Sequence, residues 1–189
     1  MIWKPPIEVN ELYHHGVKGQ KWGVRRYQNP DGTLTEKGRA RRDVQSIVNT
    51  MSDKDMWYLG YRKGDVEYGR QNYTKDDSSS IASRIIVKEG KTPVAFLDLE
   101  EWGEGDDKFL NAVIGTRSGD KYRGKGYASQ AVKEGQKWFE DHKDEFKYTE
   151  INWGARKGNK ASRRLAEKHG FKKLDQQTEN GWVDYSYKR

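Results

Sequence analysis

The amino-acid sequence predicts an α/β fold built on a mixed (α+β) sheet, with helices on the faces of the sheet. Residues 84–187 carry strand and helix patterns in the order β-β-β-α-β-α-β-β. One of these helices, over Tyr127–Phe146, has a continuous apolar face. Only 33% of the 189 residues are hydrophobic, but 7 Trp, 11 Tyr and 5 Phe supply large rings for a core.

The first half of the chain combines a turn, helices and strands. The Asn-Pro-Asp-Gly run at 29–32 predicts a turn, after which Thr35 is a candidate helix cap. Apolar residues between Val44 and Met51 stand at i, i+3, i+4 and i+7, which predicts one buried helix face. Ser52 is followed by Asp55 at the spacing of a capping box. The predicted strands that follow are Arg84–Lys88, Pro93–Leu99 and Phe109–Gly115.

The second half begins after an acidic, glycine-rich stretch, Glu100–Lys108, which is predicted to be a loop. Asn159 and Gly170 stand where a helix cap and a helix terminator are expected. An Asn-Gly pair at 180–181 predicts that the chain closes as a hairpin. The predicted elements are the helix Tyr127–Phe146, the strand Tyr148–Trp153, the helix Asn159–His169, and the strands Phe171–Leu174 and Trp182–Tyr187.

Several classes of protein are excluded by composition. There is no cysteine, so the chain has no disulfide, no thiolate nucleophile and no cysteine metal site. The adjacent pair His14–His15 has no evident third ligand, and no metal site is expected. No apolar run approaches the roughly 18–20 residues of a membrane span, so no membrane partner is expected. Residues 1–10 lack the apolar core of a signal peptide, so secretion by that route is not expected.

The positive charge is concentrated near the amino terminus. Residues 18–42 hold eight basic and two acidic side chains, a net charge of +6, whereas the whole chain carries +7. We therefore divide the chain into three parts: a basic, irregular N-terminal segment over 1–42, a helical connection over 43–51, and a globular domain over 52–189. The basic segment is interpreted as a docking element and not as a property of the fold.

The segment Tyr122–Ala128 follows a predicted strand and opens a predicted helix. Its glycines allow close approach of a ligand, and the N–H groups at a helix start bind anions, so a phosphate or pyrophosphate is the natural ligand. The alternative is a tight turn with a solvated basic face. The candidate binding residues are Arg123, Gly124, Lys125, Gly126, Tyr127 and Ala128.

Two motifs carry a resemblance to a known family. Arg123-x-x-Gly126-x-Ala128 is followed 36 positions later by Asn159-x-x-Ser162, in a segment that ends in Gly170-Phe171. The pair resembles the GNAT superfamily of acyl-CoA N-acyltransferases, over roughly residues 52–189. The Asn-x-x-Ser form looks most like the branch that acetylates N-terminal amines of ribosomal proteins and its relatives.

The resemblance implies a GNAT-like fold and acetyl-CoA as co-substrate. It implies that backbone groups of Thr116, Arg117 and Ser118 pair with the pantetheine arm, and that N–H groups from Arg123 to Ala128 hold the pyrophosphate. Asn159 would contact the pantetheine region, and Ser162 would protonate the leaving thiolate. A neutral primary amine would then attack the thioester directly, without a covalent enzyme intermediate.

The sequence departs from the family pattern at the expected acid and base. Val113 stands where an acidic residue often precedes the Ile-Gly of the third strand, and Leu165 stands where many relatives have a tyrosine. Glu100 and Glu101 are candidate bases, because an amine is mostly protonated at neutral pH. Asp106 and Asp107 are further candidates. Each of these four residues has an alternative interpretation as a solvated carboxylate. The alternative for the whole protein is a non-catalytic structural or interaction protein that keeps the acyltransferase fold.

Residues 11–42 resemble a segment found in structural and head-associated proteins of tailed bacteriophages. The resemblance implies a virion protein, or one delivered with the particle, so the expected locations are the host cytoplasm and the virion. Basic side chains alternate with Trp22 and Tyr27, which suits docking to capsid or other virion proteins. The same pattern also suits nucleic-acid binding, which is the weaker partner prediction. The third interpretation is a basic arm that is only solvated.

Overall fold

The computed structural model describes residues 27–74, 80–103, 108–143, 148–175 and 181–188. Two compact units are formed, Met1–Arg39 and Ala40–Arg189. In the described part of the first unit, Gly32 N donates to Asn29 O at 2.9 Å, which confirms the predicted turn. Gly38 N donates to Thr35 Oγ1 at 3.1 Å, so Thr35 caps the helix that begins at Glu36.

The second unit is a mixed sheet with helices on both faces, as predicted. The strand order is β1-β2-β3-β4-β6-β5, and only β3 and β4 run parallel to each other. The helices are α1 (Glu36–Val48), α2 (Asp53–Tyr58), α3 (Val66–Asn72), α4 (Tyr127–Asp141) and α5 (Lys160–Lys168). The strands are β1 (Ser80–Glu89), β2 (Thr92–Trp102), β3 (Phe109–Thr116), β4 (Glu150–Arg156), β5 (Lys172–Lys173) and β6 (Trp182–Lys188).

Each face of the sheet has its own core, because neighbouring strand residues point to opposite faces. Leu97 and Leu99 of β2 belong to the cluster that includes Phe139 of α4. Phe96, the residue before Leu97, packs instead with Ile47 of α1 and Met56 of α2 on the opposite face. The two faces are called here the α4 face and the α1–α3 face.

A glycine allows α4 to lie close to the sheet. A Cβ atom on Gly135 would stand 2.3 Å from Leu97 Cδ2, a distance that real side chains do not reach. A larger residue at this helix position would therefore push α4 away from β2. The glycine thus lets the middle of α4 lie against β2.

Local signals were interpreted correctly in several elements. The capping box of α2 is present, with Asp55 N donating to Ser52 Oγ at 3.2 Å and Ser52 N donating to Asp55 Oδ2 at 3.0 Å. Asn159 Oδ1 accepts from Ser162 N at 3.1 Å and caps α5, as predicted. β5 and β6 form the predicted closing hairpin.

Some predicted boundaries were wrong. β2 continues through Trp102, so Glu100 and Glu101 lie on a strand and not in a loop, because they pair with Asn111 and Leu110 of β3. Helix α4 ends at Asp141, whereas Phe146 lies outside the described residues. The helix Val66–Asn72 was not predicted. Asp106 and Asp107 also lie outside the described residues.

None of the helices in the described ranges is long and apolar enough to cross a membrane.

Candidate active site

The central feature of the site is a gap between two parallel strands. β3 and β4 pair only at Leu110 with Ile151 and at Asn111 with Asn152. Beyond these pairs β3 continues to Thr116 and β4 to Arg156, but no further pairing joins them. The two strands therefore separate toward their carboxyl ends, and their facing backbone groups become available to a ligand.

The hydrogen bonds between β3 and β2 determine which backbone groups of β3 face this gap. Arg117 N donates to Val94 O of β2 at 2.8 Å. In an antiparallel pair, alternate residues direct their backbone groups toward and away from the partner strand. Thr116 and Ile114 therefore direct their N–H and C=O groups away from β2 and into the gap.

Of the three residues expected to bind pantetheine, only Thr116 keeps its backbone groups toward the gap. The N–H of Arg117 is bonded to β2, and the N–H of Ser118 donates to Thr50 Oγ1 at 3.0 Å. Ile114 also directs its backbone groups into the gap, and it was not among the predicted residues. The alternation of hydrogen bonding along an antiparallel strand would have identified it once the partner strand was known.

The loop before α4 has the geometry of an anion site. Gly124 and Gly126 have φ values of +72° and +82°, in the left-handed region that favours glycine. Around both, the space where a Cβ would lie is open for 4 Å. Gly126 is the N-cap of the 15-residue helix α4 and offers no capping side chain, so the first-turn N–H groups keep their binding capacity.

Charged side chains surround this loop. Arg123 is exposed, and Lys125 Nζ lies 2.9 Å from Glu89 Oε1 of the β1–β2 hairpin. Tyr127 OH donates to the same Glu89 oxygen at 2.5 Å. These hydrogen bonds, from Tyr127 first and then from Lys125, lower the pKa of Glu89. Glu89 thus contacts two residues of the loop, and this was not predicted because it lies 36 residues before Lys125 in the sequence.

Ser162 and Asn159 lie together at the start of α5. The side chain of Asn159 caps the helix through Ser162 N. Ser162 Oγ accepts a hydrogen bond of 3.0 Å from Nε1 of Trp153, a β4 residue that is only 1% exposed. Since the serine oxygen is the acceptor there, its own proton can be donated to a third group.

The two candidate glutamates point to opposite faces. Glu100 shares the α1–α3 face with Phe96, pairs with Asn111 across β3, and accepts from Trp102 Nε1 at 3.1 Å. Glu101 is hydrogen-bonded to Tyr148 and lies 3.6 Å from Lys108 Nζ. The structure therefore does not bring the two carboxylates together, and burial, with that bond, raises the pKa of Tyr148.

Comparison with known proteins adds the family. Residues 38–172 match the model of the acetyltransferase (GNAT) domain, and residues 9–29 match a family of unknown function (DUF7211). No curated protein matches the chain.

Solved structures share the fold. The PaiA N-acetyltransferase from Thermoplasma acidophilum, in complex with coenzyme A, aligns with a TM-score of 0.58 and 14% identity over 80% of this chain and 94% of that one. An acetyltransferase from Thermus thermophilus aligns with a TM-score of 0.54 and 15% identity, over 80% of this chain and 92% of that one. A GNAT acetyltransferase from Bacillus anthracis aligns with a TM-score of 0.52 and 21% identity, over 78% of this chain and 88% of that one. With a family match over most of its length, this chain belongs to the GNAT acetyltransferases, whose acyl donor is acetyl-CoA.

Proposed function

We propose that this protein transfers the acetyl group of acetyl-CoA directly to a primary amine. The observation that carries the proposal is the position of the anion loop, Arg123 to Ala128, which follows the strand that borders the gap after one short 3-10 helix, Asp120–Tyr122. A ligand with a pyrophosphate at one end and an extended amide-containing arm at the other fits both parts. The backbone groups of Ile114 and Thr116 pair with the arm, and Asn159 lies at the start of α5 beyond the opposite strand.

The chemistry requires two proton transfers. The neutral amine nitrogen forms a bond to the thioester carbon, and the carbon–sulfur bond then breaks. A base must first take a proton from the ammonium form, because amines are mostly protonated at neutral pH. Ser162 donates a proton to the departing thiolate, and its hydrogen bond from Trp153 orients the hydroxyl. Of the sequence-derived bases, Glu100 lies on the α1–α3 face, one strand from the gap.

Titration calorimetry with acetyl-CoA and with CoA tests the binding half of the proposal. We expect both ligands to bind one site per chain. Mass spectrometry of a panel of primary amines incubated with acetyl-CoA then tests the transfer half, with an expected mass increase on the amine and none on the protein. Absence of binding at millimolar ligand would remove the enzymatic function.

A variant of Ser162 tests the proposed acid. Ser162→Ala is expected to lower kcat about 100-fold, the lower end of the range for a general acid, while the Kd of CoA stays unchanged. Trp153→Phe keeps a ring in the core but removes the N–H donor, so a smaller loss of about tenfold is expected. The double variant should be no slower than Ser162→Ala if Trp153 acts only through the serine. If Ser162→Ala has the same kcat as the unmodified protein, the role of Ser162 as the acid is excluded.

A second candidate function is that of a phage virion protein whose acyltransferase fold serves as a scaffold. It is supported by the resemblance of residues 11–42 to a phage segment, and by Val113 and Leu165 at the positions where relatives have an acidic residue and an acid tyrosine. The chain would then be present in stoichiometric amounts in purified particles, held through residues 11–42 by capsid proteins. Absence from particles would count against it.

Nucleic acid is a further candidate partner and would bind through the basic residues 18–42. The affinity should fall steeply with salt, and deletion of the segment should remove it.

A further inference from the structure

Gly154 of β4 lies beside two side chains of β6, Asp184 and Trp182, on the α1–α3 face. The position that its Cβ would occupy is 3.5 Å from Asp184 Oδ1 and 3.5 Å from Cε3 of Trp182, both on the neighbouring strand β6. Gly154 itself is exposed and lies two residues beyond Asn152, the last β4 residue paired with β3. A small recess is thus formed on β4, where the strand borders the gap.

Two oxygen acceptors on this face lack partners. Within the described residues, the carboxylate of Asp184 makes no hydrogen bond or ion pair, although it is partly shielded from solvent. Burial raises the pKa of Asp184, and no charged neighbour contributes to that shift. Asn152 Oδ1 is also buried and accepts no hydrogen bond from any described group. Buried acceptors are almost always satisfied in folded proteins, so the Asn152 oxygen indicates a missing donor, and the Asp184 carboxylate on the same face is available to the same ligand.

The third wall of the recess is the ring of Trp182, which has the guanidinium of Arg156 over one face. The guanidinium of Arg156 lies 4.6 Å from the ring centre of Trp182 and 4.3 Å from that of Trp57. Arg156 Nε also donates to Trp57 O at 2.8 Å, which connects α2 to β4. Trp182 is therefore fixed beside Gly154, as a binding wall requires.

We propose that Asp184, Asn152 and Trp182 form the acceptor subsite for a protonated primary amine, and that Asp184 takes the proton that makes the amine nucleophilic. A primary ammonium is the chemical complement of this recess, because it offers three N–H donors and a positive charge. Asp184 and Asn152 supply oxygen acceptors, and the Trp182 ring supplies an apolar wall for the carbon chain that bears the amine. This inference rests on the proposed acetyl transfer and assigns the residues that bind and deprotonate its amine substrate.

The proton balance is simple. The bound R–NH3⁺ gives one proton to the Asp184 carboxylate, which passes it to solvent, and the resulting R–NH2 attacks the thioester. The second proton leaves nitrogen when the tetrahedral intermediate collapses, and one proton reaches the thiolate through Ser162. The products are the N-acetyl amine, CoA thiol and one released proton.

Two effects of Asp184→Asn should run in opposite directions. Because the folded-state pKa lies above the unfolded value, the folded protein binds more protons between the two values, and stability falls as pH rises through that window. The asparagine lacks this unfavourable charge, so the variant should have a higher Tm at neutral pH. The variant should also lose activity, and its kcat should no longer show the fall at acidic pH that protonation of Asp184 causes in the unmodified protein. A purely structural aspartate would not combine a stability gain with an activity loss.

The other charged residues around Asp184 are engaged with partners of their own or are exposed. On β4, Arg156 lies between two rings and Glu150 accepts from Ser186. On β5, Lys172 and Lys173 are exposed, and on β6 Lys188 lies 3.6 Å from Glu150. On α2, Asp53 pairs with Arg70 and Lys54 lies over Tyr58.

The test uses the full chain, labelled with 15N and saturated with CoA, and n-butylammonium as the probe. We expect the Gly154 amide and the Trp182 indole signals to shift with n-butylammonium but not with n-butanol. Asp184→Asn should weaken that binding about tenfold. Gly154→Ala should also weaken it, since its methyl fits without a clash but occupies the recess. The matched controls are Asp65→Asn, an exposed aspartate without a capping bond, and Gly64→Ala, which points into open space.

Each alternative outcome is decisive. The inference is overturned if n-butylammonium fails to bind, if it binds equally to all four variants, or if Glu100→Gln and not Asp184→Asn removes the acidic limb of the kcat profile. Calorimetry with CoA on the same samples keeps the two ideas separate. If the unmodified protein does not bind CoA, acetyl transfer is refuted. If it binds CoA but not n-butylammonium, only the amine subsite is refuted.

Discussion

Replacing Gly126 with glutamate is expected to abolish the binding of acetyl-CoA. Gly126 precedes the first turn of α4, and the space around its Cβ position is open, so the new side chain would extend into the region where the pyrophosphate binds. A carboxylate facing a pyrophosphate costs several kcal/mol, which corresponds to a loss of at least about 100-fold in Kd. Calorimetry with acetyl-CoA measures the effect directly.

A matched variant separates the loss of binding from backbone strain. Gly126 has φ +82°, so any side chain there is strained by about 1–2 kcal/mol. Gly32 has φ +83° and an equally open Cβ position, in the turn of the N-terminal unit. Gly32→Glu should therefore lower stability by a similar amount and leave the Kd of acetyl-CoA unchanged. Equal affinities of the two variants would exclude the anion loop as the binding site.

The fold could be predicted because its signals are local. The apolar face of a helix such as α4 is formed by residues three and four positions apart in the sequence. The caps Thr35, Ser52 and Asn159 lie next to the helical turns that they stabilise. The error at Glu100 and Glu101 has the same origin. Their acidic composition indicates a loop, but pairing with Asn111 and Leu110 of β3 extends the strand.

The candidate site was predicted where one short motif builds it, and missed where distant segments meet. The glycines of the anion loop and the cap of α5 are both encoded within a few residues. Glu89, by contrast, reaches the loop through the β1–β2 hairpin, and Asp184 reaches Gly154 because β6 inserts between β4 and β5. A strand residue also changes face with a shift of one position, which separates Glu100 from Glu101.

The largest loss of stability is expected from Asp98→Ala. Asp98 is 1% exposed and binds the guanidinium of Arg84 through both oxygens, at 2.7 and 2.8 Å. The pair joins β1 to β2 at the position opposite Val113 of β3. Removing the carboxylate deprives a largely buried cation of its bidentate acceptor, which costs about 3–5 kcal/mol. Urea unfolding of the two proteins measures the difference in free energy.

Two further variants decide whether charge burial is the cause. Asp141→Ala removes a carboxylate from the ion pair with Lys137 on α4, where both side chains are more than half exposed, and should change stability by less than about 0.5 kcal/mol. In the double variant Arg84→Met/Asp98→Leu, both buried charges are replaced by apolar groups, so most of the lost stability should return. If the double variant is as unstable as Asp98→Ala, the loss comes from the packing of β1 on β2, and the ion pair is not its source.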